Sequence, residues 1–409
     1  MSIDTHLPID REDAPPSAHP PAPVEEHPPG RHRRNHPWLV GTGTLLVILA
    51  VVFALVGIPA FVRFPLNTDR TIRYNGTFTL YVNQSTLEPL ATPTVLPMTI
   101  SRLVKVTKGS FATAVVIEQD TIRPGPLTLH QNFQYLLNRR TMAFENGPET
   151  MMFGQSAKTN IAGSYRLNFP LGSTASGTYP MWSIMTDTAA VVTRGRGPQA
   201  LQGVSGVKVI EFSSQTAAPA SPYYRNWLVQ NGFPSSITPA QLVPRLDALG
   251  ANVSGAFSAL LPVLTPAQRA TVDRALAAPI PVNYSYSYTG KVAVEPQTGA
   301  MIWVDTTAEV TEAAPSPTAV EQLQPLLRQH TDIPAVAELS KALTQVATAP
   351  PQTVIDDTWT ETPASSQQMA NFARNQIRSM NVVDDAPWIV GGVGVVLVAL
   401  GLLLRRRNT

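Results

Sequence analysis

Apolar positions follow three spacings along the chain, and each spacing marks a different part of it. At the two ends they run unbroken. Trp38 to Val62 is 25 residues without a charge, and Trp388 to Leu404 is a second uncharged run of 17. As helices these reach ~37 Å and ~25 Å, against a hydrocarbon core ~30 Å thick. Arg405, Arg406 and Arg407 follow the second run at once and can snorkel to the headgroups, which makes up its shortfall. Trp38 and Trp388 each stand behind a proline at the start of a run, where indole rings anchor helices at the interface. The pattern predicts membrane helices at 38–62 and 387–404, anchored by Trp38, Trp388, Arg405, Arg406 and Arg407. A cleaved leader is disfavoured by the 36 residues before the first run and the lack of an A-x-A site after it. A wall-sorting tail would need LPxTG just before the second run, and the only LPxT, Leu96–Thr99, lies almost 300 residues upstream. A buried core helix fits poorly with an all-apolar, Val- and Gly-rich run closed by three arginines.

Between the runs the spacing is mostly two. In Arg73–Val82, Phe78, Leu80 and Val82 alternate with Thr77, Thr79 and Tyr81, as in a half-buried strand. Strands are also predicted at Met98–Val106 and Ser110–Gln119 around Lys108-Gly109, and at Gln131–Phe144, Ser164–Phe169 and Val207–Ser213. A later hairpin, Tyr284–Val294 and Ala300–Val310, turns at Pro296-Gln297-Thr298-Gly299. It shares Tyr-x-Gly-x-apolar-x-apolar with the first: Tyr74-Asn75-Gly76 against Tyr288-Thr289-Gly290.

Over 234–280 the spacing becomes helical. Thr238-Pro239-Ala240-Gln241 and Thr265-Pro266-Ala267-Gln268 repeat one tetrapeptide, a Thr cap, Pro at the first helical position and Gln at the third, which is a capping box. Leu242, Leu246 and Leu249 form one apolar stripe, Ala256–Leu264 a short helix, and Val272 with Leu276 a further stripe. A last helix over 317–348 has Asp332 as cap and Val336, Leu339, Leu343 and Val346 inward. Residues 350–361 read as a linker, and Thr362-Pro363 opens a polar stalk helix into the second membrane run. The predicted fold is a β-rich α+β domain over 63–386, of antiparallel sheets with a helical insertion, tethered by an N-terminal and a C-terminal transmembrane helix.

Composition then narrows the chemistry. Only 14% of the 409 residues are charged, and there is no cysteine. That excludes disulfides, thiolate metal sites and cysteine nucleophiles. The low charge is not confined to the membrane runs. Residues 64–386 carry 22 Lys and Arg against 22 Asp and Glu, so this domain has no basic surplus for a nucleic-acid partner. Residues 1–37 are Pro-rich, hold five of the seven histidines and have no apolar period, which predicts a disordered cytoplasmic tail. His6, His19, His27, His32 and His36 have no compact metal-ligand spacing. Arginines flank the first run evenly, with Arg31, Arg33 and Arg34 before it and Arg63, Arg70 and Arg73 after. The triplet at 405–407 therefore decides orientation: both termini cytoplasmic, in the plasma membrane, with the large domain outside.

No HExxH, Walker loop, GxGxxG or GxSxG occurs. His130 and His330 are 200 residues apart. Glu145, Glu149 and Asp187 are equally well read as solvated loop charges as paired glycosidase acids. Tyr284, Tyr286 and Tyr288 alternate with serines, most simply as the buried aromatic face of a strand. Asn75, Asn83, Asn252 and Asn283 head accidental N-x-Ser/Thr triplets. No catalytic residue, cofactor site or metal site is expected.

Four stretches carry a family resemblance: Arg70–Thr77; Asn138-Arg139-Arg140-Thr141 before Phe144; Tyr165–Pro170 with Tyr179-Pro180-Met181-Trp182; and Glu295-Pro296-Gln297-Thr298-Gly299. With a membrane run at each end, they resemble the bacterial porin PorA-like family of two-span membrane proteins of unknown function. The helices at 234–280 depart from that pattern. The resemblance implies an envelope protein. Two apolar helices with no polar stripe do not line a channel alone, and a charged lumen face is not expected. The expected function is a membrane-anchored binding or structural module with membrane lipid as partner and an apolar or lipid ligand. The alternatives are an envelope glycan or lipid hydrolase and an oligomeric channel or transport accessory.

Overall fold

The computed structural model describes residues 37–57 and 63–407. The expected tail with its five histidines, the last five residues of the first membrane run, and residues 408–409 lie outside them. The contacts divide the chain into two units, one of residues 1–50 with 389–409 and the other of residues 51–388.

In the first unit two apolar helices lie side by side. The helix α1 (Pro37–Val52) continues as a π-helical turn over Phe53–Gly57. Its partner is the end of a 45-residue helix that begins at Pro363 and ends at Arg407. Both are long and apolar enough to cross a membrane. Glycine makes their contact. A Cβ on Gly43 would lie 2.5 Å from the Gly394 carbonyl oxygen, and one on Gly394 would lie 2.7 Å from that of Gly43. Gly401 packs on Leu39 and Val40, and Gly391 packs on Ala50. The helices are therefore antiparallel. Lipid tails give apolar helices no hydrophobic reason to associate, so close backbone approach through small residues supplies the packing.

The second unit is built on one antiparallel sheet of fourteen strands. The first arm is β1 (Asp69–Val82), β2 (Pro89–Gly109), β3 (Thr113–Pro124) and β4 (Leu129–Asn138), with the short β5 (Phe144–Glu145), β6 (Met151–Met152) and β7 (Gln155–Ser156) at its edge. The second arm is β8 (Tyr179–Ser183), β9 (Thr188–Ala200), β10 (Lys208–Pro219), β11 (Ser236–Ile237), β12 (Ile280–Val294) and β13 (Met301–Pro315). Joining the arms is β14 (Gln352–Glu361), paired with β1 on one side and β13 on the other. The expected linker at 350–361 is thus a central strand. Its pattern hides this because Val354 and Ile355 are both buried and Asp356-Asp357 follow them. The strand β9 was not expected either, since its Gly-Pro content reads as a turn. Gly195 there meets β10 so closely that a Cβ would come within 2.8 Å of the Glu211 carbonyl oxygen.

The two free edges meet. Phe144 of β5 exchanges backbone hydrogen bonds with Gly163 and Ser164, and Tyr165 exchanges them with Pro180 and Trp182 of β8, at 2.8–2.9 Å. The expected strand at 164–169 is this closing segment, present as isolated bridges at Tyr165 and Asn168. The hydrogen-bonded path is therefore a ring. Side chains fill part of its interior, as in small barrels. Phe133, Tyr135 and Phe144 stack in one row, and Tyr165, Phe169 and Phe212 in another.

The longer helices are α2 (Pro222–Gln230), α3 (Pro239–Ala248), α4 (Val253–Leu260), α5 (Pro266–Ala277), α6 (Pro334–Thr348) and the long α7 (Pro363–Arg407). They follow their sequence signals in part: α2 was not expected, and the helix expected over 317–348 is broken into short turns at Pro317–Val320 and Gln324–Leu327 before the continuous α6 begins at Pro334. In the second capping box the Thr265 N–H donates to Gln268 Oε1 at 2.9 Å, and the Gln268 N–H donates back to Thr265 Oγ1 at 3.3 Å. Leu242 and Leu246 are buried, but Leu249 and Leu276 are exposed. The cap of α6 is Ile333, without a side-chain bond, so Asp332 does not have the expected role. The start of α7 is docked, unlike a free stalk. Met369, Ala370 and Ala373 are buried against Val209, Ala293 and Ile302 of the sheet.

Cross-linking tests the antiparallel helix pair, and the cysteine-free chain makes it clean. The double variant Val40→Cys/Gly401→Cys should form an intramolecular disulfide on mild oxidation in a bilayer. Adding Gly394→Ile should abolish it, since a Cβ there already meets the facing backbone.

Candidate ligand cavity and its ionic floor

The interior of the ring is charged, contrary to expectation. Glu118 and Asp120 are two apart on β3 and so point to the same inner face. Arg102 of β2 lies directly across from Asp120. Its Nε and Nη2 each donate to the Asp120 carboxylate at 2.9 Å, and Nε is 3.1 Å from Glu118. Arg166, from the closing segment, donates to the two Glu118 oxygens at 3.1 and 2.8 Å. Glu118 is fully buried and Asp120 nearly so, while the Arg102 and Arg166 side chains are 15% and 14% exposed. Burial penalises the Glu118 carboxylate, yet Arg166 and Arg102 outweigh it and hold its pKa below the usual value. At Asp120 burial prevails over Arg102, and the pKa is raised. Burial alone would lower the pKa of Arg102, but Asp120 leads the interactions that raise it well above the usual value.

Arg102 and Arg166 line two cavities, so the cluster divides the interior. The smaller, about 40 Å³, lies beside α7 and is lined by Arg70, Glu361 and Met369. Burial raises the pKa of Glu361 to about 8, and its Oε1 has no hydrogen-bond partner. Arg70 stacks on Phe372, its Cζ 3.2 Å from the ring centroid.

The larger cavity, about 140 Å³, has mostly apolar and aromatic walls, including Phe78, Met98, Ile100, Trp182, Phe233 and Ile355. Leu127, half-exposed in the β3–β4 turn, also lines it, so it reaches the surface there. Glu309 and Asp357 face it from β13 and β14. The register between those strands slips from Thr306↔Trp359 to Glu309↔Asp357, three residues against two. This bulge turns Glu309 to the inner face opposite Asp357. The Trp359 indole N–H donates to Glu309 Oε2 at 2.9 Å. Burial is the main cause raising the pKa of both acids, and for Asp357 the neighbouring Glu309 adds to it.

The residues singled out by sequence are elsewhere. Trp38 and Trp388 are 62% and 83% exposed, near opposite ends of the helix pair, and Arg405 and Arg406 are also exposed. Arg407 is the last residue of α7. The antiparallel pairing puts the 405–407 end beside the Trp38 end. Glu145 accepts from Asn138, Glu149 pairs with Lys108, and Asp187 sits in the β8–β9 turn, so the three do not form one acid pair. His130 is on β4, and its carbonyl accepts from Trp227 Nε1. His330 lies in the turn before α6. Asn83 and Asn252 serve a turn and a helix cap. Tyr284 and Tyr286 are buried as expected, and Tyr286 and Tyr288 also line the cavity. The cluster itself had one legible trace, two acids two residues apart directly after the apolar run Ala114–Ile117.

A family model described as Porin PorA matches residues 37–403. The chain belongs to the Porin PorA family. The match takes in both apolar helices and the whole sheet. Comparison with curated proteins gives no match. In this PorA-family chain the four stretches that carry the resemblance prove structural. Arg70–Thr77 is the start of β1, where Gly76 lets β14 approach. Asn138 accepts from the Arg140 and Thr141 amides, and Arg139 binds the Phe64 and Ser110 carbonyls, tying the chain entry to the β2–β3 turn. Tyr165–Pro170 and Tyr179–Trp182 close the ring. Glu295 accepts from the Gln297 and Thr298 amides, and Gly299, at φ +68°, receives the Phe169 amide on its carbonyl.

A double-mutant cycle tests the cluster. Arg102→Met should cost roughly 3–5 kcal/mol in chemical denaturation by stranding Asp120, while Glu118 keeps Arg166. Adding Asp120→Leu should recover a large part of that loss.

Proposed function

We propose that this PorA-family chain is a bacterial envelope protein whose sheet domain stands outside the plasma membrane and holds an apolar or amphiphilic ligand, lipid in character. The observation that carries the reading is the 140 Å³ cavity inside the closed sheet, with apolar and aromatic walls and a polar floor. Ligand sites have this composition: mostly hydrophobic linings with a few placed polar groups. A volume near ~150 Å³ holds a benzene ring, so the cavity takes a head group and the first carbons of a chain, and the rest leaves past Leu127. The orientation rests on the antiparallel helices, which put the described ends together, and on Arg405, Arg406 and Arg407, which favour the cytoplasmic side.

Two other readings are weaker. A hydrolase would use Glu309 and Asp357, but a benzene-sized space does not seat two sugar rings across a scissile bond. A channel would need an open lumen, and here the Arg102–Glu118 cluster and the aromatic rows stand in the way. The exposed face of the strands carries Lys105, Gln119, Gln215, Asn283 and Lys291. A lipid-facing barrel instead presents an apolar band.

Native mass spectrometry of the full chain in mild detergent tests the reading. An apolar or amphiphilic adduct is expected on the wild type. It should be lost from Ser214→Phe, which fills the cavity from β10, while far-ultraviolet circular dichroism stays unchanged. No adduct on the wild type, or an adduct equally abundant on Ser214→Phe, overturns it.

A further inference from the structure

Glu309 and Asp357 stand directly opposite each other on neighbouring strands. Ionised together in that position they would repel, and burial already raises the pKa of both, so a bound cation is what would hold them charged. The bulge in β13 creates the juxtaposition, since regular pairing would carry Glu309 out of register with Asp357. Arg102 and Arg166 favour the charged Glu309 from a distance, but burial outweighs them and neither pairs with it. The two guanidiniums that reach the cavity, Arg102 and Arg166, are both held by Asp120 and Glu118. Among the described residues neither Glu309 nor Asp357 forms a salt bridge, and Asp357 Oδ1 is buried without a hydrogen-bond partner. Counting the smaller cavity, five carboxyls share an interior with three guanidiniums, the third being Arg70 on the Glu361 side. The interior lacks positive charge on the β13–β14 side.

Two independent features point to a ligand as its source. Trp182 is 3% exposed and lines the cavity, yet its indole N–H has no partner. A buried donor without a partner, on a residue of the cavity wall, is a candidate contact for a ligand's polar atom. The walls beside the acids are also unusually aromatic, with Tyr224, Trp227, Tyr286, Tyr288 and Trp359. Aromatic faces attract ammonium groups, most strongly out of water, and opposed carboxyls complete such a site.

Resting on the ligand-binding reading above, we propose that the cavity's ligand is an amphiphile with a cationic ammonium head, seated between Glu309 and Asp357 with its first carbons against the aromatic wall. The ammonium supplies the missing charge and donates to both carboxyls. A second polar atom of the ligand accepts from Trp182 Nε1. Anionic heads are disfavoured, because the arginines are already engaged and the remaining floor is acidic.

Three six-carbon probes, hexylamine, hexanol and hexanoate, separate the possibilities by isothermal titration into full-length protein in lipid nanodiscs, against empty nanodiscs. Hexylamine should bind roughly tenfold or more tighter than hexanol, as a desolvated cation site allows. Glu309→Gln and Asp357→Asn should each bring hexylamine toward the hexanol level and leave hexanol binding unchanged, which also shows that the variants fold. Ser214→Phe should lose both. Hexanol or hexanoate binding as tightly as hexylamine overturns the ammonium head but leaves the ligand-binding reading standing. So does an amine preference that survives both acid variants. Binding of none of the probes to the wild type overturns both.

Discussion

Asp120, Arg102, Glu118 and Arg166 occupy the middle of a closed sheet, where packed apolar side chains would cost less. Charges taken from water lose solvation that only good geometry restores. Here the geometry is good: each carboxylate is held by two guanidinium nitrogens at about 3 Å. Arg102 and Asp120 come from neighbouring strands of one arm. Arg166 comes from the segment that joins that arm to the other. The same cluster therefore fixes the β2–β3 register, ties down the closure and forms the floor between the two cavities. A one-residue slip of β3 would turn Glu118 and Asp120 outward and strand both arginines.

The closure explains why the family's shared stretches look unlike a site. Tyr165–Pro170, Tyr179–Trp182 and Glu295–Gly299 contribute backbone bonds, a left-handed turn and aromatic packing. Gly299 is required there, because a Cβ would overlap the Phe169 carbonyl. Gly76 and Gly290 of the Tyr-x-Gly echo are alike in purpose: each lets the neighbouring strand come close, at Trp359 and at Asp305. Chemistry enters through residues outside these stretches, above all Glu309 and Asp357.

Local signals made much of the fold legible. Unbroken apolar runs gave the membrane helices, the repeated Thr-Pro-Ala-Gln gave two helix starts, and alternation gave β1 and the β12–β13 hairpin. What stayed hidden depends on partners distant in sequence. The strand β14 has apolar residues on adjacent positions and acids facing inward, so it reads as a linker until β1 and β13 flank it. Glu309 reads as a surface charge until the bulge turns it inward. Arg166 lies in an irregular segment and acquires its meaning only from Glu118, 48 residues away. The charged interior was missed because domain-wide charge, at net zero, shows nothing about where the charges sit.

The most direct test of a closed sheet that shelters a ligand is a high-resolution density map of the full chain purified from its own membrane. The account predicts continuous backbone from Phe144 through Tyr165 to Trp182. It also predicts elongated non-protein density running from between Glu309 and Asp357 to Leu127. An open seam between β5 and β8, or a cavity holding only isolated water peaks, would contradict it.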